Sequence, residues 1–470
     1  MPRMSTTGAS NERKTIFITI YDGDTEKNVL RSGTFDLLKQ SGHRFVLLIC
    51  SPVRFDYYKQ TFEGEQVSVE LLPNAANALE RLWYFIGWNS LPTRAVVLRR
   101  HMWLAKGWPR WRFALGTVFG FLGRFRVWRA FLRFVYAISP DSHARALFET
   151  YQPDLLFSPN MFSPDDCRLL RQAKRRGVKT IVTAKSWDVL TTKAFTRVKA
   201  DRLLVFNEFN RQEAIELGDY DPAKIVVTGF PQFDIYSRDD IFMSRDEFFR
   251  TIGADPAKRL VLVAPPGDWM TPHTVDILAA FDRRIDEGRF GPLQVLVRYH
   301  PKYPDASEKL ESAHLIKDRP GTLLSKKKET SIDMGVANSF AWTFTNKDIV
   351  HLANSIKHSD VVVNTASTLT LDAAALDRPV VLLGYDGDQK LAYWDSIARV
   401  YEREHYRHVT DAHAAPVVQS HDEFEAAIKR FLDDPDYLRA EREQLKKDML
   451  YKVDGKSTER VARAVLEMLE

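Results

Sequence analysis

The sequence predicts an α/β protein made of two lobes, each a parallel β-sheet covered by helices. Three observations predict it. Short apolar, β-branched runs alternate with helical segments through most of the chain, the pattern of strands buried on both faces. The alternation stops at Gly229-Phe230-Pro231 and restarts near Arg245, which divides it in two. The length, 470 residues, exceeds what one hydrophobic core usually serves. The expected organisation is a polar, disordered tail over 1–13, a first lobe over 14–235 with a helical insert at 76–138, and a second lobe over 244–450. A C-terminal helix over 451–470 is expected to pack back towards the first lobe.

In chain order, residues 14–21 form the first strand. The turn Asp22-Gly23-Asp24 follows, then a helix from about 25 to 40. Strands follow at 44–50 and 66–72. After the insert come a strand at 154–157, a helix at 164–176 and a strand at 179–184, with Lys185-Ser186-Trp187-Asp188 at its carboxyl end. A strand at 202–206, a helix at 211–217 and a strand at 224–228 complete the first half. The second half opens with a helix at 245–252 and a strand at 259–264, closed by Pro265-Pro266-Gly267. A helix at 274–287 leads to a strand at 294–298 that ends in Tyr299-His300-Pro301. Residues 310–345 show no clear period, and 325–329 (SKKKE) are expected to be a solvated loop. A helix at 348–356 precedes SDVVVNTASTLTLDAAALDRPVVLLGYDG at 359–387, which reads as strand, small-residue turn, short helix and strand. Pro379 begins the last of these strands, where a missing N–H costs least. Helices are expected at 421–432, 435–450 and 457–469.

The net charge of +5 conceals an asymmetry: residues 81–138 carry ten Arg, one Lys and no acid, leaving the remainder at −6. Within this insert Phe121, Phe125, Trp128, Leu132 and Val135 fall on one helical stripe, and Arg126, Arg129 and Arg133 lie together beside it. Arginine with tryptophan on an amphipathic helix suits an anionic membrane surface, and these residues are the predicted contact. The alternative is a core helix pair with solvated arginines. Cys50 and Cys167 are the only cysteines, so a disulfide framework is not expected and a reducing, cytoplasmic location fits. The sequence shows no apolar leader-like stretch at its start, no run long enough to span a bilayer and no nucleic-acid-binding motif.

The candidate chemistry lies at strand ends. His300 precedes a proline, which favours extended backbone and places the imidazole where open α/β sheets bind ligands. Arg298, two residues earlier, points to the same face, and Lys302 adds charge. The turn at Ser367-Thr368 opens a helix, whose free N–H groups favour phosphate; a simple helix cap is the alternative. Together Arg298, His300, Ser367 and Thr368 would grip a nucleotide's phosphates without metal. Asp188 is the first candidate for the base that deprotonates an acceptor hydroxyl, and Asp22 the second.

VRYHP at 297–301, the stretch at 359–386 and KIVVTGFPQFD at 224–234 together resemble the GT-B glycosyltransferase superfamily, and within it CDP-glycerol glycerophosphotransferase-like enzymes of bacterial surface-polysaccharide synthesis. The resemblance implies two Rossmann-like lobes and donor phosphates held by Arg298, His300, Ser367 and Thr368. It also implies a contact of Asp372 with the donor's ribose or sugar, and no metal or other cofactor. The expected reaction transfers a glycosyl or glycerophosphoryl group from a nucleotide-sugar or CDP-glycerol donor to a lipid-linked or polysaccharide acceptor, on the inner face of the membrane. A UDP-sugar 2-epimerase-like enzyme and a non-enzymatic nucleotide-sugar-binding protein are the alternatives.

Overall fold

The structure, a computed structural model, describes residues 13–72, 78–268, 270–301, 303–329 and 339–470. Lys302 and nearly all of the predicted tail lie outside these. Two separate parallel sheets form the core, as expected. The first holds β1 (Thr15–Ile20), β2 (Arg44–Ile49), β3 (Val67–Leu71), β4 (Leu155–Ser158), β5 (Lys179–Thr183), β6 (Arg202–Val205) and β7 (Ile225–Val227), in the order β3-β2-β1-β4-β5-β6-β7.

The second half supplies β8 (Arg259–Ala264), β9 (Leu293–Arg298), β10 (Leu315–Asp318), β11 (Thr322–Glu329), β12 (Ser339–Thr343), β13 (Val361–Asn364), β14 (Val380–Leu383) and β15 (Val417–Val418). The second sheet runs β10-β9-β8-β13-β14-β15, and β11 and β12 form a separate antiparallel pair. Each sheet starts at its centre, builds outward to one edge and then returns to build the other. Ligands bind such sheets at the carboxyl ends of the strands where the order reverses, here β1/β4 and β8/β13. The register Val361↔Val261 to Asn364↔Ala264 brings the ends of β8 and β13 level.

Three segments depart from expectation. The helix predicted over 25–40 is split into a π-helical turn (Glu26–Leu30) and a short helix (Thr34–Lys39), because Gly33 adopts φ +94° between them. Residues 325–329 belong to β11 rather than to a loop. The resulting hairpin is tied to the first lobe. Arg54 Nη1 donates to the Trp342 carbonyl at 2.8 Å, and the Thr343 hydroxyl donates to buried Glu26, which also accepts from Tyr58 at 3.0 Å. The insert, expected as two or three helices, holds four among the described residues, Ala78–Asn89, Arg94–Ala105, Arg110–Leu122 and Arg126–Ile138. Its third helix packs tightly because a Cβ at Gly123 would lie 1.9 Å from the Ser90 carbonyl oxygen. No helix among the described residues is long and apolar enough to cross a membrane.

The helix Ser457–Leu466 packs on Thr34–Lys39, and its Val461, Ala462, Ala464 and Val465 share the apolar core of β1, β2 and β3. Asp234 anchors its start by accepting from the Ser457 and Thr458 backbone N–H groups at 3.0 and 2.7 Å.

Candidate active site

A cavity of about 560 Å3 opens between the facing ends of the two sheets. Arg298, His300, Ser367, Thr368 and Asp372 wall one side, and Asp22 and Asp188 the other. Seven residues singled out from distant parts of the sequence therefore meet in one cleft.

On the second-lobe side, β9 ends in Arg298, whose guanidinium pairs with Asp318 at the end of β10. Burial pulls the Arg298 pKa down and Asp318 opposes it. Asp318 also contacts His351 Nε2 at 3.2 Å. The pairing keeps the guanidinium at the cavity wall while neutralising part of its charge. The His300 ring stacks obliquely 4.6 Å from Tyr303 and faces Trp342 edge-on at 6.4 Å.

The turn after β13 is organised by Asn364, whose Oδ1 accepts from Ser367 N at 3.3 Å and from the Thr370 hydroxyl at 3.1 Å. Ala366 sits at φ +42°, and its small side chain limits the strain of that conformation. Ser367 Oγ accepts from Leu369 N at 3.2 Å, so it acts as a local cap and also faces the cavity. Thr368 Oγ1 accepts from the Trp187 indole at 3.2 Å, a bond across the cleft from the other lobe. Asp372 accepts from the Tyr236 hydroxyl at 2.6 Å. Burial raises its carboxyl to about 6 against that hydrogen bond. Asp318 carries no sequence motif, and the only local signal for Tyr236 is its place two residues beyond the GFPQFD stretch.

On the first-lobe side, Lys185 forms an ion pair with Asp22 and lies 3.4 Å from Asp24. Burial favours the neutral form of Asp22, but Lys185 outweighs it and holds the carboxyl below the usual range. The other Asp22 oxygen accepts from Thr25 N at 3.0 Å and from the Thr25 hydroxyl at 2.9 Å. Capping a helix and pairing with lysine engage both Asp22 oxygens, which leaves it the second candidate behind Asp188. Asp188 differs. Its Oδ2 accepts from the Thr192 hydroxyl at 3.1 Å, and Asn210 Nδ2 fixes the loop by donating to the Trp187 carbonyl at 2.8 Å. Burial pushes its carboxyl up, but Lys193 and the Ser186 and Thr192 hydroxyls draw it back below the usual carboxylate value, so it stays ionised. His405 comes from the second half. Its Nδ1 lies 3.2 Å from the Thr191 hydroxyl and its ring is edge-on to Trp187 at 5.1 Å. Burial, then Arg403, lowers its pKa to about 4, leaving a neutral imidazole at pH 7. No local motif marks His405 in the sequence.

The predicted membrane contacts are not in this cleft, and most are not on a surface. Arg129 donates to Asp219 through Nε at 2.8 Å and Nη2 at 2.6 Å, Arg133 lies 2.8 Å from it, and Arg126 3.4 Å. Arg129 is buried, and Arg133 also donates to the Thr196 carbonyl at 2.8 Å. Trp128 stacks on Phe119 and donates to the Ser90 hydroxyl at 3.3 Å. Of the four, Arg126 alone is exposed. The arginine face is thus an internal clasp, and the expectation for Arg129, Arg133 and Trp128 is corrected: the clasping acid lies some ninety residues away and carries no local signal.

Comparison with known proteins bears on the family and the fold. Two curated relatives, lipid-A-disaccharide synthases of Geobacter sulfurreducens and Geobacter metallireducens, are 26% and 27% identical over 335 and 348 residues, spanning 69% of this chain and 78% of theirs. The solved structure of S. aureus MnaA with UDP superposes with a TM-score of 0.56 at 14% identity, covering 97% of both chains. A variant of the wall teichoic acid polymerase TagF superposes with a TM-score of 0.50 at 10% identity over 97% of this chain and 89% of that one. These two likenesses are of fold, two Rossmann-like lobes of GT-B type. The family model for CDP-Glycerol:Poly(glycerophosphate) glycerophosphotransferase matches residues 182–467, well over half of the chain, from the end of β5 through the helix that closes the first lobe. The chain belongs to that family, and it is a transferase.

Proposed function

We propose that the protein transfers a glycosyl or glycerophosphoryl group from a nucleotide-activated donor to a lipid-linked or polymeric acceptor of cell-surface polysaccharide synthesis. The observation that carries this reading is the shared cavity, with Arg298, His300 and the Ser367-Thr368 turn facing Asp188. The cationic side and the turn's N–H groups suit the donor's diphosphate. Asp188 takes the acceptor hydroxyl's proton while that oxygen bonds to the donor's anomeric carbon or terminal phosphorus. The bond to the nucleotide breaks, and the nucleotide leaves with the electron pair. Side-chain charge neutralises the phosphates, and no divalent metal is required in this scheme. A thermal-shift series with CMP, CDP, UDP, GDP and dTDP tests the donor site, since a ligand of the native state raises its melting temperature. Absence of a shift with all five overturns it. Product analysis without acceptor separates transfer from sugar-nucleotide epimerisation.

The acceptor's setting is read from the insert. Trp111, Leu115 and Val118 on its third helix, and Val127, Phe131, Phe134 and Ile138 on its fourth, point outward. Val127 is 81% exposed and Phe134 63%. The spacing of the second set is that of one helical stripe, opposite the stripe packed inside. A helix apolar on both faces needs an apolar partner outside as well as inside. Exposed Lys106, Arg110, Arg112, Arg124 and Arg126 flank this face, and residues 81–140 contain no acid. A second copy would bring the same cations together, whereas an anionic bilayer complements both features. On this reading the enzyme works at the inner face of the membrane. Phe131→Glu with Phe134→Glu should abolish sedimentation with phosphatidylglycerol vesicles while nucleotide binding persists; unchanged sedimentation refutes the assignment.

A further inference from the structure

Hydrogen bonds at the first-lobe end of the cavity fix which nitrogen of one histidine carries a proton. His405 stands at the start of the helix Glu404–Asp411; it is buried, yet it lines the cavity with Asp188. Its Nδ1 lies 3.2 Å from the Thr191 hydroxyl, and that hydroxyl also stands 3.0 Å from the Asp188 carbonyl oxygen. A threonine hydroxyl has one proton, and a carbonyl can only accept. Both bonds form together only if Thr191 donates to the Asp188 carbonyl and Nδ1–H donates to Thr191 Oγ1. Nε2 is then the nitrogen without a proton. It has no hydrogen-bond partner among the described residues and is not sealed off, so it opens on the cavity that the ring lines. Burial lowers the His405 pKa to about 4; Asp188 opposes this, and Arg403, His408 and Arg99 add to it. A bare, neutral nitrogen therefore stands beside the candidate base, with the other nitrogen of its ring tied down.

We propose that His405 Nε2 is where the acceptor's proton comes to rest: Asp188 takes it from the attacking hydroxyl and passes it on within the cavity. The O–H bond of the Asp188 carboxyl breaks, an N–H bond forms at Nε2, and carboxyl and imidazole become carboxylate and imidazolium. The source of that proton rests on the transfer reading above; the state of the imidazole does not. The two groups are matched for the exchange. Asp188, held below the usual carboxylate value, gives up a proton readily, and the imidazole takes one in the same acidic range. The charge restored to Asp188 then attracts the imidazolium, while Arg403 and Arg99 favour release of its proton once product has left. Asp188 alone is a weak base; with His405 the two hold one proton between them. Thr191 acts as a positioning residue that keeps Nε2 bare.

The test follows nucleotide release by the full chain from CDP-glycerol and from UDP-N-acetylglucosamine, with glycerol as the hydroxyl acceptor. In His405→Asn the side-chain amide can still donate to Thr191 but offers no basic nitrogen. Its kcat should fall about 10²-fold with donor KM and melting temperature unchanged. His405→Ala should lose as much, and added imidazole should restore its rate in step with the unprotonated fraction of the imidazole. A kcat for His405→Asn within about twofold of wild type overturns the proposal. So does a loss confined to KM, or a loss in His405→Ala that imidazole does not relieve. If wild type releases neither nucleotide, that failure falls on the transfer reading, and nitrogen-15 NMR of the histidine-labelled chain judges the imidazole, with His405→Asn assigning its signals. A protonated Nδ1 and a bare Nε2 at pH 7, a preference lost in Thr191→Val, support the assignment; a protonated Nε2 in wild type overturns it.

Discussion

Replacing Asp219 by asparagine tests the clasp that holds the insert to the first lobe. Asp219 has φ +54°, a conformation asparagine tolerates well, so the change removes charge without imposing backbone strain. In the native protein the carboxylate takes two hydrogen bonds from Arg129 and lies 2.8 Å from Arg133, with side-chain exposures of 4% and 13%. Removing one partner of a buried ion pair costs about 3–5 kcal/mol, and the retained asparagine carbonyl returns about 1 kcal/mol, so the net loss is about 2–4 kcal/mol. For a lobe of this size that is about 4–16 °C in melting temperature. Tryptophan fluorescence reads it directly, because six of the ten tryptophans lie between residues 83 and 128. Burial opposes ionisation of Asp219, but Arg129 and Arg133 overcome it and depress its pKa. Its stabilisation is therefore complete above the unfolded value of about 3.9 and disappears as pH falls through the lower folded value. The gap between wild type and variant should close at that acidic end. A shift under about 2 °C at pH 7, or a gap that persists at acidic pH, refutes the ion-pair argument.

Asp188→Asn should lower transfer about 10²- to 10⁴-fold with nucleotide affinity unchanged in a thermal-shift titration. Arg298→Ala and His300→Ala should each weaken nucleotide binding and lower transfer about 10²-fold or more, read as kcat/KM against donor concentration. Excess EDTA should leave the transfer rate unchanged if side chains alone neutralise the phosphates. Glu213, hydrogen-bonded by Asn210 at 2.9 Å, is raised by burial to about 8 from 4.5. The native state thus keeps a proton that the unfolded chain has lost, and stability should fall as pH rises from about 4.5 to 8. Glu213→Gln should flatten that slope in denaturant titrations.

Much of the architecture was legible because strands such as Val361–Asn364 and Leu293–Arg298 are buried on both faces and therefore read as unbroken apolar runs. Their carboxyl ends named His300 and Ser367 for the same reason. The hairpin β11–β12 escaped because the lysine run in β11 lacks any alternation. The insert misled in a particular way: its fourth helix is apolar on opposite sides, so periodicity cannot say which stripe faces inward. Phe131 and Phe134 lie outside, Leu132 and Tyr136 inside. Pairings such as Arg129 with Asp219, or His405 beside Asp188, depend on chain crossings that no local pattern encodes.

The helix Ser457–Leu466 lies among the chain's final residues, yet Val461 and Val465 are sealed within the core of the sheet that opens it. On the ribosome, β1 to β7 emerge long before this helix does, and although Phe35, Leu38 and Tyr58 already cover part of their apolar face, the part that Val461 and Val465 seal stays open while the entire second sheet is synthesised. Assembly of the first half is therefore a closing event rather than an opening one. Nonsense products stopping short of residue 457 would leave that part of the face bare, and they would weaken a lobe whose own strands are all present.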